Sequence, residues 1–242
     1  NVTLTEDVTS LDEVVVIGYG SVKRKDLTTA VSTVGEEALA NRPIVSAAQA
    51  IQGKAAGVSV QPPTGAPGGG MTVRVRGTTS FNGSNEPLYV VDGVPVDNVS
   101  FLSPSDIESM QILKDASSAA IYGSRGANGV VIITTKQGRS SDARISLNVQ
   151  GGFTRVAKKM EVLNAAQYKE LMDEIGLVKL PDGLTDQTDW FDETYRTGNT
   201  QTYQLAVSQS TDKISYYLSG GYQRDQGILK SSFFQRFNFR AN

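Results

Sequence analysis

The pattern of apolar and polar positions changes near Gly138. Beyond it, apolar and polar residues alternate with a period of two over runs of about ten residues, the signature of strands with one apolar and one polar face. Ile145, Leu147 and Val149 oppose Ser146, Asn148 and Gln150; Tyr203, Leu205 and Val207 oppose Gln204 and Ser208. Ile214, Tyr216, Leu218 and Tyr222 oppose Ser215, Ser219 and Gln223, and Phe237 and Phe239 oppose Arg236, Asn238 and Arg240. The connection Gln209 to Lys213 is short, whereas Ala157 to Thr200 is a long polar excursion with a helical piece around Asn164 to Ile175.

Before Gly138, short strands and short helices alternate. "LDEVVVIGYG", Leu11 to Gly20, reads as a short strand or an extended segment rich in β-branched residues. "SAAQAIQGKAAG", Ser46 to Gly57, has an alanine-rich helical period with Ser46 at the N-cap and glycine at the end. In "PLYVVDGVPV", Pro87 to Val96, Asp92 and Gly93 predict a tight turn between two strands. Ser103 to Asp106 predicts a capped helical turn, Ala116 to Tyr122 a helix, and "VVIITTK", Val130 to Lys136, a buried strand. This half is expected to be a small α+β domain with a mixed sheet.

Composition narrows the chemistry. Among 242 residues, 39% are hydrophobic, enough to fill a core. With 23 basic against 25 acidic residues and no basic cluster, nothing recommends nucleic acid as a partner. Cysteine and histidine are both absent, which removes the usual zinc ligands, thiol nucleophiles and histidine acid/base pairs. An enzyme is therefore the weakest class, and no cofactor is expected. No stretch reaches the ~20 apolar residues of a spanning helix, so a membrane would have to be crossed by strands. Any export signal is expected to lie outside these residues, since Asn1 follows no charged and apolar leader.

Several apparent motifs fail on chemistry. Gly18 and Gly20 lack the third glycine of a dinucleotide loop, and Gly65 to Gly70 leads to Met71 where a phosphate loop needs lysine. The acids Asp182, Asp186, Asp189, Asp192 and Glu193 lack the ligand spacing of an EF-hand and read as a solvated loop. Asn82-Gly83-Ser84 and Asn98-Val99-Ser100 match glycosylation acceptors by chance as readily as by design. Asp115, near Lys114 and Ser117, reads as helix capping. On alternation alone, the second half remains open between a soluble β-sandwich and a lipid-facing β-barrel.

Together "LDEVVVIGYG", "AIQGKAAGVSVQ", "VRVRGTTSFNGSNEPLYVVDGVPV", "DIESMQILKDASSAAIYGSRGANGVVIITTKQG" and "TDWFDETYRTG" resemble the SusC/RagA-type TonB-dependent outer-membrane transporters, over nearly the whole chain. The resemblance implies a plug domain at residues 22–138, followed at residues 139–242 by the first strands of an antiparallel transmembrane barrel. A closed barrel of roughly 22 strands is implied, so four strands are a part of it. Residues 1–21 correspond to the end of an N-terminal extension and a TonB-box-like segment, in which Asp12, Glu13, Val14, Val15, Val16, Ile17 and Gly18 pair as an added strand with TonB.

The same resemblance implies import of a large nutrient, a glycan or a peptide. It places a SusD-like surface lipoprotein over the barrel, lipid around it, and a dimer of transporter–lipoprotein pairs in the outer membrane with the N-terminus periplasmic. Substrate would meet the plug loops Thr78 to Glu86 and Val94 to Leu102, at Ser80, Phe81, Asn82, Ser84, Asn85, Asp97, Asn98 and Phe101. In "MTVRVRGTTSF", Arg74 and Arg76 are expected to leave the plug and pair with carboxylates on the barrel wall, while Val73 and Val75 fill its interior. A siderophore or cobalamin receptor, and a soluble sandwich adhesin, are the alternatives.

Overall fold

The computed structural model describes residues 14–17, 20–23, 31–36, 46–77, 84–115, 120–176 and 188–242. β1 (Val14–Ile17) and β2 (Gly20–Lys23) form an antiparallel hairpin that is a sheet of its own. The first domain is then organised on a five-stranded mixed sheet. Its strands are β3 (Val31–Gly35), β6 (Leu88–Val91), β7 (Val94–Val96), β8 (Ile107–Leu113) and β9 (Val130–Thr135), in the order β3-β8-β9-β6-β7. Only β6 and β9 run parallel; the other pairs are antiparallel.

β9 is the middle strand, and its apolar run Val130 to Ile133 is covered on both faces. One face packs Ile107, Met110, Ile112, Val131 and Ile133 against Ala47, Ala50 and Ile51. It also meets the separate hairpin of β4 (Val58–Gln61) and β5 (Thr72–Val75) through Val60, Val73 and Val75. The other face packs Leu88, Val90, Leu113, Val130 and Ile132 beneath Tyr122.

The tight turn at Asp92 and Gly93 is present, with φ of 49° and 85°. Both values are left-handed, as the two-residue turn that matches strand twist requires. The helix expected over Ser46 to Gly57 is shorter than its alanine content suggests. A 3-10 turn spans Ala48–Ile51, with the Gln49 amide donating to Ser46 Oγ at 3.2 Å. Gln52, at ψ 121°, leaves helical geometry and Gly53, at φ 70°, completes a tight turn, while the apolar alanines pack as a compact wedge against β4. The helix expected over Ala116 to Tyr122 is a 3-10 segment at Ala120–Gly126; residues 116–119 lie outside the described residues.

The second half is an antiparallel meander of β10 (Arg144–Thr154), β11 (Gly198–Ser210), β12 (Ser215–Gln226) and β13 (Phe233–Ala241). Its long excursion carries α1 (Ala165–Ile175), opened by a capping box between Asn164 and Gln167 and closed by Gly176 at φ 72°. A short α2 (Trp190–Thr194) follows, capped by Asp189, and the Lys159 ammonium donates to Asp192 across the excursion. That hydrogen bond raises the pKa of Lys159 and lowers that of Asp192. Asp189 and Asp192 thus have structural partners; Asp182 and Asp186 lie outside the described residues.

The four strands turn their apolar residues outward, with Ile145 at 74%, Leu147 at 70%, Phe237 at 78% and Phe239 at 80% exposure. Their polar residues turn inward: Gln204, Ser219 and Gln223 are buried. A sandwich would do the reverse, packing the apolar faces against a second sheet. The alternation therefore describes a wall whose apolar face suits lipid and whose polar face receives the first domain.

Candidate functional site

The domain meets the wall along a polar seam, and the centre of the seam is a carboxylate. Pro104 starts the 3-10 turn Pro104–Asp106, which delivers Asp106 to the head of β8 with its side chain aimed at the wall. Asp106 Oδ1 accepts from Gln204 Nε2 at 2.7 Å, Ser219 Oγ at 2.7 Å and Tyr217 OH at 3.0 Å, and the residue is 2% exposed. Ser103, expected as an N-cap, makes no side-chain cap; its hydroxyl donates to Gln204 Oε1 at 3.1 Å, so the wall has captured it. Hydrogen bonds to a charged acceptor contribute about 1.5–3 kcal/mol each, offset by the cost of desolvating the carboxylate. The node fixes register more than it adds stability.

A second node lies at the β6–β7 turn. Asp92 accepts from the Thr135 amide at 2.9 Å and from Thr135 Oγ1 at 2.6 Å, which ties the turn to the end of β9. Arg240 of β13 then reaches Asp92 Oδ2 at 3.0 Å and Thr135 Oγ1 at 2.6 Å. Further along β13, Arg236 donates to the Ser100 carbonyl at 2.8 Å and to Gln223 Oε1 at 2.8 Å. The Ser215 hydroxyl donates to the Gly138 carbonyl at 2.9 Å, which holds the linker to the wall. Close approach closes the other end: a Cβ on Gly68, whose φ is +68°, would stand 2.2 Å from the Phe234 ring. Only glycine fits there.

The expected pairing of Arg74 and Arg76 with the barrel wall has no counterpart among the described residues. Arg76, just beyond β5 and at a φ of 59°, donates to Asp115, a carboxylate of its own domain. Arg74 is exposed opposite Ser59 and makes no ion pair among the described residues. Val73 and Val75 are buried as expected. At the seam the charges are reversed: the wall supplies Arg240 and the domain supplies Asp92.

A cavity of about 550 Å³ lies between the domain and β13, lined by Met71, Glu86, Tyr89, Asn98, Ser100 and Phe101 and by Phe234 and Arg236 across from them. Burial, and secondarily the Glu86 carboxylate, push the Tyr89 phenol above its ordinary pKa, so it stays a neutral hydroxyl. Of the expected substrate-facing residues, Asn98 and Phe101 line this cavity. Asn98 Oδ1 also accepts from the Ser100 amide at 3.3 Å, a local turn contact. Asp97 faces Arg125 at 3.6 Å instead. Ser84 accepts from the Glu86 amide at 3.2 Å, and neither it nor Asn85 lines the cavity. Ser80, Phe81 and Asn82 lie outside the described residues, as do Asp12, Glu13 and Gly18; Val14, Val15, Val16 and Ile17 form β1.

Residues 23–130 match the family described as the TonB-dependent Receptor Plug Domain. The chain is 41% identical to the TonB-dependent receptor SusC of Bacteroides thetaiotaomicron, over 100% of this chain and 25% of that relative. The chain belongs to the SusC/RagA-type TonB-dependent receptors. A TonB-dependent receptor of Formosa agariphila is 44% identical over 100% of the chain and 24% of its own length. The RagAB peptide importer in its "open-open" state superposes with a TM-score of 0.86 at 30% identity, covering 95% of this chain and 30% of that one. The siderophore receptor PirA from Acinetobacter baumannii, 21% identical with a TM-score of 0.50 over 81% of this chain and 24% of its own, shares the fold. The chain spans about a quarter of the length of the SusC-type receptors it matches. The first domain is thus the plug, and the meander is the start of the barrel wall.

Proposed function

We propose that the full-length receptor imports a large nutrient, a glycan or a peptide, across the outer membrane by a TonB-driven displacement of the plug. The observation that carries this reading is the seam. A plug held by discrete hydrogen bonds around Asp106 and Asp92, rather than by a shared apolar core, keeps its register at rest and yields when pulled. The outer membrane has no ATP, so the pull must arrive through a protein contact.

That contact is assigned to Asp12 to Gly18. Val14–Ile17 is already extended, and its only strand partner among the described residues is β2, within a hairpin separate from the plug sheet. Strand addition needs an extended backbone and little sequence specificity. The long connections at one end of the meander face the exterior and the N-terminus faces the periplasm, in keeping with the short inner turns of such barrels. A SusD-like lipoprotein covers the outer end, and transporter–lipoprotein pairs form dimers, by kinship with SusC and with an importer whose name, RagAB, joins two components. Phe101 as a stacking surface and Asn98, Ser100 and the Tyr89 hydroxyl as polar contacts suit a sugar ring or a peptide.

Deleting Leu11 to Ile17 from the full-length receptor is expected to abolish uptake of a fluorescent oligosaccharide or oligopeptide that the wild type accumulates, while surface binding of that probe stays unchanged. Uptake at the wild-type rate would remove the assignment. Saturable binding of a ferric chelate instead of either probe would favour a siderophore receptor.

A further inference from the structure

The outward face of the wall carries a polar interruption that neither the plug seam nor the import reading uses. The strand register defines its height. Val149, Tyr203, Tyr222 and Phe237 stand side by side across β10 to β13. The three rings of Tyr203, Tyr222 and Phe237 form a continuous band, with centroids 6.4 Å apart between Tyr203 and Tyr222 and 4.8 Å apart between Tyr222 and Phe237. Such an aromatic row marks the level at which a barrel passes from acyl chains to lipid headgroups.

The next outward row reads Gly151, Gln201, Arg224 and Gln235, and above it Phe153 stands opposite Asn199 and Gln226 opposite Phe233. Asn199, Gln201, Arg224 and Gln226 surround a shallow outward pocket of about 50 Å³. All four present N–H donors. Arg224 is exposed and makes no ion pair among the described residues. The neighbouring Asp225 has the opposite strand parity and accepts from Thr200 Oγ1 at 2.7 Å. Lys159 and Lys230 hold the acids Asp192 and Glu193 of the same end. The pocket lies between β11 and β12, each already flanked by another strand, so it is not an edge awaiting its neighbour.

We infer that this pocket binds the phosphate of an outer-leaflet lipid, with the Arg224 guanidinium as its cationic anchor and the three amides completing the anion shell. A guanidinium with adjacent amide donors is suited to phosphate oxygens. The aromatic row beneath suits the start of the attached acyl chains. The leaflet follows from the end of the wall that carries the pocket, which is the end of the long connection at residues 155–197 rather than of the short turn at 211–214. The inference rests on the outer-membrane reading of the wall.

The test is native mass spectrometry of the full-length receptor, released from detergent after incubation with monophosphoryl lipid A, with the same lipid A dephosphorylated, or with inorganic phosphate. The wild type is expected to retain the phosphorylated lipid about tenfold over the dephosphorylated one, the order of one charge-assisted hydrogen bond. Arg224→Gln is expected to lose that preference, Arg224→Lys to keep part of it, and all three proteins to remain heat-modifiable barrels. No preference in the wild type, or an undiminished one in Arg224→Gln, overturns the site. Full competition by inorganic phosphate overturns the lipid as its source. Fractionation in parallel separates the two readings, because a receptor absent from the outer membrane refutes the underlying assignment rather than the pocket.

Discussion

At the scale of residues, the seam depends on Asp106 more than on any other side chain. Three wall donors converge on one of its oxygens, so Asp106→Ala strands Gln204, Tyr217 and Ser219 together. Each buried donor left unmade costs about 1–3 kcal/mol. Asp106→Asn keeps an oxygen in place and costs less, about 1–2 kcal/mol. In planar bilayers, the urea concentration at which the full-length receptor begins to conduct should fall for Asp106→Ala and fall less for Asp106→Asn. A midpoint at the wild-type value for both would mean that the node does not hold the plug. Little in the local sequence marks this residue, since Pro104 to Asp106 signals a helical turn and its partners are about 100 positions away. Gln204 and Ser219 were legible as a polar strand face, but what that face touches was not. Arg76, just beyond β5, shows the converse: alternation assigned it to the outer face, and at its left-handed φ it pairs with Asp115.

At the scale of elements, periodicity performed well where a strand has two unlike faces and poorly where alanine and glycine dominate. The wall strands, the Asp92-Gly93 turn and β9 follow from pattern because each choice is enforced by burial on one side or by twist. The segment Ser46 to Gly57 reads as a helix by propensity, yet the chain leaves helical geometry at Gln52 after a single turn. α1 is the reverse case, buried nowhere and so dependent on its caps. Asn164→Ala should remove the capping box and destabilise α1 by about 1 kcal/mol. Faster amide exchange confined to residues 165–168, with β10 and β11 unchanged, is the expected result; unchanged exchange there would show that other contacts hold the helix.

At the scale of the whole molecule, the two faces of one sheet meet different surroundings: apolar side chains point outward, and polar ones hold the plug. Family likeness was legible in the motifs, and the two unlike faces of the wall were legible in its alternation, but which face turns outward was not. The reversal of charge at the seam, with arginine from the wall and carboxylate from the plug, appears only when the two halves are brought together. The most direct test scans β13. The described chain has no cysteine, so single cysteines at positions 233 to 240 of the full-length receptor can each carry a spin label, once any cysteine beyond these residues is replaced. In lipid nanodiscs, Phe237 and Phe239 should be accessible to oxygen and closed to aqueous nickel chelate, and Asn238 and Arg240, which face the plug, should be shielded from oxygen. Equal oxygen accessibility at the odd and even positions of this pair of rows, or nickel access at Phe239, would contradict a lipid-facing wall closed around its plug.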